Sequence, residues 1–153
     1  MLLHEHLENG ADKNPNFPFS EFEGNSLSYQ EANLLSNQLA NKLVSEGLEV
    51  GDRFAFLAKN CTEMAIMYYA ASKVGAVPVP LNYRLADQEW AYIINDSEAK
   101  LIIVKGNEYS DRINQISSEL KNIKKYISIS LDNSIEKFHD FYELNFLNAN
   151  VKT

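Results

Sequence analysis

The chain has 153 residues, long enough to bury a core without disulfides or metal ions. Hydrophobic residues at 45% and charged residues at 23% are ordinary for a globular protein and exclude wholesale disorder. A net charge of −7 and an isoelectric point near 4.9 exclude a nucleic-acid surface, which needs a basic patch; the nearest cations, Lys121, Lys124 and Lys125, read as a solvated helix end.

Met1-Leu2-Leu3-His4-Glu5-His6 lacks the basic-then-apolar order of a secretory leader. The longest apolar run, residues 64–71, falls short of the ~18–20 residues that span a bilayer. The single cysteine, Cys61, rules out an internal disulfide and fits a reducing compartment, so the cytoplasm is the expected location.

In chain order, residues 2–9 are expected to form a short helix. Residues 19–22 and 26–29 flank Gly24-Asn25, a dipeptide suited to a tight hairpin turn. A helix then starts at Ser28-Tyr29-Gln30-Glu31, where serine followed three residues later by glutamate satisfies two orphan N–H groups reciprocally. Ala32, Leu35, Leu39 and Leu43 give it one apolar face, and Gly47 can take the left-handed conformation that ends it. From Val50 onward strands and helices alternate: strand 53–57, helix 62–74 closed by Gly75, strand 77–81, helix 87–96, strand 101–104, helix 109–121 and strand 126–129.

Strands joined by single helices of this length need crossover connections, which build a parallel sheet. The expected fold is α/β: a doubly wound, mostly parallel sheet with flanking helices, preceded by a small N-terminal hairpin and helix, in a single domain over residues 1–153. Pro78 and Pro80 sit two apart, so both missing N–H groups face the same side. That strand is therefore expected to be short or well paired on one side only. In the tail, Phe138, Phe141, Leu144, Phe146 and Leu147 crowd together. They form either a terminal helix packed on this domain or an apolar surface that a partner covers.

The six glycines, at 10, 24, 47, 51, 75 and 106, are too dispersed for a phosphate-cradling loop, which excludes dinucleotide and Walker-type sites. His4-Glu5-His6 has no further ligand nearby and reads as an exposed N-terminus rather than a metal site. Cys61 lies where a helix dipole would stabilise a thiolate, but nothing in the sequence brings His139 to it, so it reads as incidental. No catalytic or metal-binding residue is assigned. Open α/β sheets bind ligands at the C-terminal ends of their strands. There the chain places Lys59-Asn60-Cys61, Asn82-Tyr83-Arg84 and Lys105-Gly106-Asn107. Asn82-Tyr83-Arg84 combines an amide, an aromatic face and a guanidinium, suited to a phosphate or an adenine ring, although its spacing alone reads as a connecting loop.

Around this loop, Ser72-Lys73-Val74-Gly75-Ala76-Val77-Pro78-Val79-Pro80-Leu81-Asn82-Tyr83-Arg84-Leu85 resembles a signature of the AMP-forming acyl-CoA synthetases, within the adenylate-forming superfamily. Leu27-Ser28-Tyr29-Gln30-Glu31, Val50-Gly51-Asp52-Arg53 and Asn95-Asp96-Ser97-Glu98-Ala99-Lys100-Leu101-Ile102-Ile103 resemble further pieces of that family in its own order, over about residues 27–104. The resemblance implies an N-terminal portion of an enzyme that activates a carboxylic acid, fatty or aryl, with ATP and magnesium and passes the acyl group to CoA. It implies that phosphate loop, carboxylate pocket and catalytic lysine lie downstream, with residues 131–153 expected as a truncated tail, so that this chain alone is expected to be inactive. It places Arg84, with Asn82 and Tyr83 beside it, at the nucleotide end of CoA. The implied partner is the remainder of the ligase, covalent or separately encoded; the alternative is a freestanding, non-catalytic partner-binding module.

Overall fold

A computed structural model describes residues 1–129 and the backbone of Phe138–Asp140. The chain divides into two compact units. The first comprises Met1–Val50 and Asn60–Ala76; the second comprises Gly51–Lys59 and the described residues from Val77 onward.

In the first unit, α1 (Leu3–Lys13) packs on α2 (Tyr29–Ser45) and α3 (Thr62–Val74), beside a hairpin of β1 (Pro18–Phe22) and β2 (Asn25–Ser28). α1 runs past its expected end at residue 9 because Gly10 leaves room for the Tyr29 ring, which occupies the space a Cβ would need. His4 is therefore not part of a frayed terminus. It is buried, with Nδ1 2.9 Å from Ser72 Oγ. The hairpin turn falls one residue earlier than Gly24-Asn25. Phe22 pairs with Asn25, leaving Glu23 and Gly24 as the turn with φ of 49° and 79°. Two positive φ angles make it a type I′ turn, whose twist matches that of the strands. α2 starts as expected: Glu31 N–H donates to Ser28 Oγ at 3.2 Å and Ser28 N–H to Glu31 Oε2 at 2.8 Å. Lys73, in the last turn of α3, is buried, with Nζ 2.6 Å from Glu8 Oε1 and 3.1 Å from Asn33 Oδ1.

The second unit is the sheet. It contains β3 (Arg53–Leu57), β4 (Val77–Leu81), α4 (Asp87–Asp96), β5 (Leu101–Val104), α5 (Asn107–Gln115), β6 (Lys125–Ser128) and β7 (Phe138–Asp140). The strands run parallel in the order β4-β3-β5-β6-β7. One core gathers Ala55, Leu57, Ile102 and Val104 of the strands with Trp90 and Ile94 of α4 and Ile113 of α5. Their neighbours along the strands, Phe54, Phe56, Leu101 and Ile103, are buried too, which fits the near-continuous apolar runs of a parallel sheet. This is the α/β class expected from the sequence. Beyond β7, the apolar tail lies outside the described residues.

Among the described strands, β4 lies at the edge of the sheet and pairs with β3 alone. Val77 N–H donates to Asp52 O at 2.8 Å. With a period of two, Val79 and Leu81 turn the same way, and Pro78 and Pro80 face the open side. The prolines thus cost no ladder bond and leave that side with carbonyls but no donors there.

The helix expected over 109–121 starts earlier, at Asn107, and breaks at Ile116 into a 3₁₀ turn, Ser117–Glu119. Asn95 of α4 accounts for the early stop. Its Nδ2 donates to Glu119 O at 2.9 Å and its Oδ1 accepts from Lys121 N–H at 3.0 Å, so it draws the backbone out of helical geometry.

Candidate functional site

The loop after β4 is built by its own backbone. Asn82 Oδ1 accepts from Arg84 N–H at 2.9 Å, an Asx turn, and Asn82 O accepts from Leu85 N–H at 3.2 Å. The indole Nε1–H of buried Trp90 donates to the same carbonyl at 2.8 Å. The amide oxygen of Asn82, expected as a ligand-facing group, is therefore already engaged in shaping the turn.

Arg112 of α5 holds the far end of the loop. Its Nε donates to Asp87 Oδ1 at 2.7 Å, its guanidinium to Leu85 O at 2.9 Å, and its Cζ lies 3.9 Å from the centre of the Trp90 ring. An ion pair, a backbone bond and a cation–π contact on one side chain fix α5 to the loop from outside. Trp90 meets Tyr109 edge-on at 6.2 Å, and Tyr109 lies 6.2 Å from Tyr83. Neither Trp90 nor Arg112 was singled out from the sequence; an aromatic and a cation 22 residues apart carry no local signal of contact.

Tyr83 is half-buried, whereas Asn82 and Arg84 are exposed. The Arg84 Cζ lies 5.4 Å from the centre of the Tyr83 ring and Lys59 Nζ, from the end of β3, lies 5.6 Å from it. The structure thus brings Lys59 and Asn82-Tyr83-Arg84 together. Lys105 continues from the end of β5, where its N–H donates to Leu57 O at 2.9 Å. Cys61 is partly buried at the start of α3, and makes no side-chain cap bond. The His139 side chain lies outside the described residues. Among the described residues, no three His, Cys, Asp or Glu side chains converge as metal ligands would, and no helix is long and apolar enough to cross a membrane.

The model of one protein family, AMP-binding enzyme, matches residues 7–146. The chain is 42% identical over 77 residues to the long-chain-fatty-acid–CoA ligase FadD13 of Mycobacterium tuberculosis, a match covering 50% of this chain and 15% of that protein. A solved Rhodopseudomonas palustris structure, named for a long-chain-fatty-acid CoA ligase, superposes with a TM-score of 0.86 at 26% identity, over 93% of this chain and 35% of the other. The N-terminal domain of FACL13 from Mycobacterium tuberculosis superposes at 0.77 with 28% identity, over 84% of this chain and 34% of that domain. The chain thus spans about a third or less of the relatives it matches.

Proposed function

The chain belongs to the AMP-binding enzyme family, and from that premise we propose that it is the N-terminal part of an AMP-forming acyl-CoA ligase. In that reaction a carboxylate attacks ATP to give an acyl-adenylate and pyrophosphate, and the CoA thiol then displaces AMP. The relatives named for fatty-acid–CoA ligases support this reading, as does the loop that matches the family's signature.

The role proposed for these residues is limited. The described side chains offer no convergent carboxylates for magnesium, and the sequence has no glycine-rich loop for a triphosphate. No step through either group is assigned to them, and the isolated chain is read as inactive. What the chain supplies is part of the sheet layer and one exposed cation-bearing loop. Arg84 is the residue proposed to meet the nucleotide end of CoA, with Tyr83 beside it and Asn82 holding the turn.

The observation that carries this reading is the exposed guanidinium of Arg84 on a turn braced by Trp90 and Arg112. In the native polypeptide, Arg84→Ala is expected to raise the CoA KM several-fold and to leave ATP–pyrophosphate exchange unchanged, because only the second step uses CoA. An unchanged CoA KM would remove Arg84 from the site.

A further inference from the structure

Among the described strands β4 ends the sheet, so the loop that follows it, residues 82–86, has a neighbouring strand end on one side alone. What secures the loop comes from α5. Tyr109 and Arg112 stand three residues apart, hence on one face of that helix, and both reach the loop. Tyr109 meets Tyr83 at 6.2 Å, while Arg112 donates to Leu85 O at 2.9 Å and to Asp87 Oδ1 at 2.7 Å. Arg112 also stacks 3.9 Å from the centre of the Trp90 ring, whose indole N–H donates to Asn82 O at 2.8 Å. One side chain is thus tied to both ends of the loop, to Leu85 and Asp87 directly and to Asn82 through Trp90. Arg53 is bonded as fully, to Gly51 O, Ser97 O and Glu98, but at the opposite, N-terminal ends of the strands.

We propose that Arg112 is a positioning residue: it touches no ligand itself but holds the 82–86 loop in the conformation from which Arg84 contacts CoA. This role rests on the reading of Arg84 given above. It requires a guanidinium, which can donate along two directions in its plane while its face lies on the indole. A lysine has neither the fork nor the face, and keeps only the charge opposite Asp87. The turn itself does not need Arg112, since Asn82 closes it by accepting from Arg84 N–H and Leu85 N–H. What Arg112 fixes is where the closed turn points. Without it the loop spends only part of its time correctly placed, and the apparent affinity for CoA falls by that fraction.

The test measures CoA KM, ATP KM and ATP–pyrophosphate exchange in the native polypeptide. The variants are Arg112→Ala, Arg112→Lys, Arg84→Ala and the double Arg84→Ala/Arg112→Ala, with Arg53→Lys as the control. Arg112→Ala is expected to raise the CoA KM about three- to tenfold, as for a loop correctly placed about a third to a tenth of the time, with ATP KM and exchange unchanged. Arg112→Lys should raise it by a smaller factor, and decides the question if the alanine variant does not fold. In the Arg84→Ala background the loss of Arg112 should add nothing, because the group it positions is gone. Arg53→Lys should leave the CoA KM where it was. A CoA KM unmoved by the Arg112 variants overturns the proposal. So does an undiminished rise in the double variant, or an equal rise from Arg53→Lys, either of which marks a general loss of rigidity. If Arg84→Ala moves the CoA KM and the Arg112 variants do not, only the positioning role fails. If Arg84→Ala does not move it, the reading of the loop fails and the role of Arg112 with it.

Discussion

Glu23 is a residue placed against its own preference. Its φ of 49° lies in the left-handed region, where a side chain other than Asn, Asp or Gly is strained, and it sits in the first central position of a type I′ turn. No contact of its side chain offsets that strain among the described residues, and it is exposed. Glu23→Asn should therefore stabilise the chain by about 0.5–1 kcal/mol, read as a higher urea midpoint at unchanged slope. A fall in midpoint would mean that Glu23 makes a contact worth more than its strain. At this scale the sequence was informative where the signal is local. Asn82-Tyr83-Arg84 stands out by composition, and its position at the end of a strand follows from the alternation of elements. Arg112 and Lys73 do not stand out. One is a cation in a polar helix and the other follows an apolar run, and only the tertiary approach of Trp90, Glu8 and Asn33 distinguishes them.

Among the helices, the buried Lys73 ammonium links the last turn of α3 to Glu8 of α1 and Asn33 of α2. The Lys73 side chain is 1% exposed, whereas Glu8 is 37% exposed. Removing the carboxylate and removing the cation are thus unequal changes. Glu8→Ala leaves a buried charge with one neutral partner and should cost about 2–3 kcal/mol, while Lys73→Met, of similar length and apolar, should cost within about 1 kcal/mol. Equal losses in urea unfolding would show that the pair acts through packing rather than charge. Element boundaries were legible to the extent that their causes lie within a few residues. The capping box of Ser28 and Glu31 fixes the start of α2, and Gly75 in the left-handed conformation ends α3. The hairpin turn slipped by one residue because Glu23 is not a residue that announces a positive φ. The end of α5 was missed because Asn95, on another helix, causes it.

For the whole molecule, family membership and the third or less of its relatives' length set the expectation. The purified 153-residue chain should release no AMP from ATP and CoA with any carboxylate, and an immunoblot of its own cells should show a band several times larger than 17.4 kDa. AMP release by the short chain would overturn the proposal that it is inactive, and a native band at 17.4 kDa would favour the freestanding partner-binding module. The proline-lined margin of β4 also bears on how the chain is made. Among the described strands of this sheet, β3 leaves the ribosome first and β4 second, and β5, β6 and β7 join at the opposite end. The nascent sheet therefore offers one docking rail instead of two. Each newly emerging strand of the same polypeptide takes that rail in turn, which shortens the time in which a foreign strand, or a neighbouring copy on the same message, can occupy it.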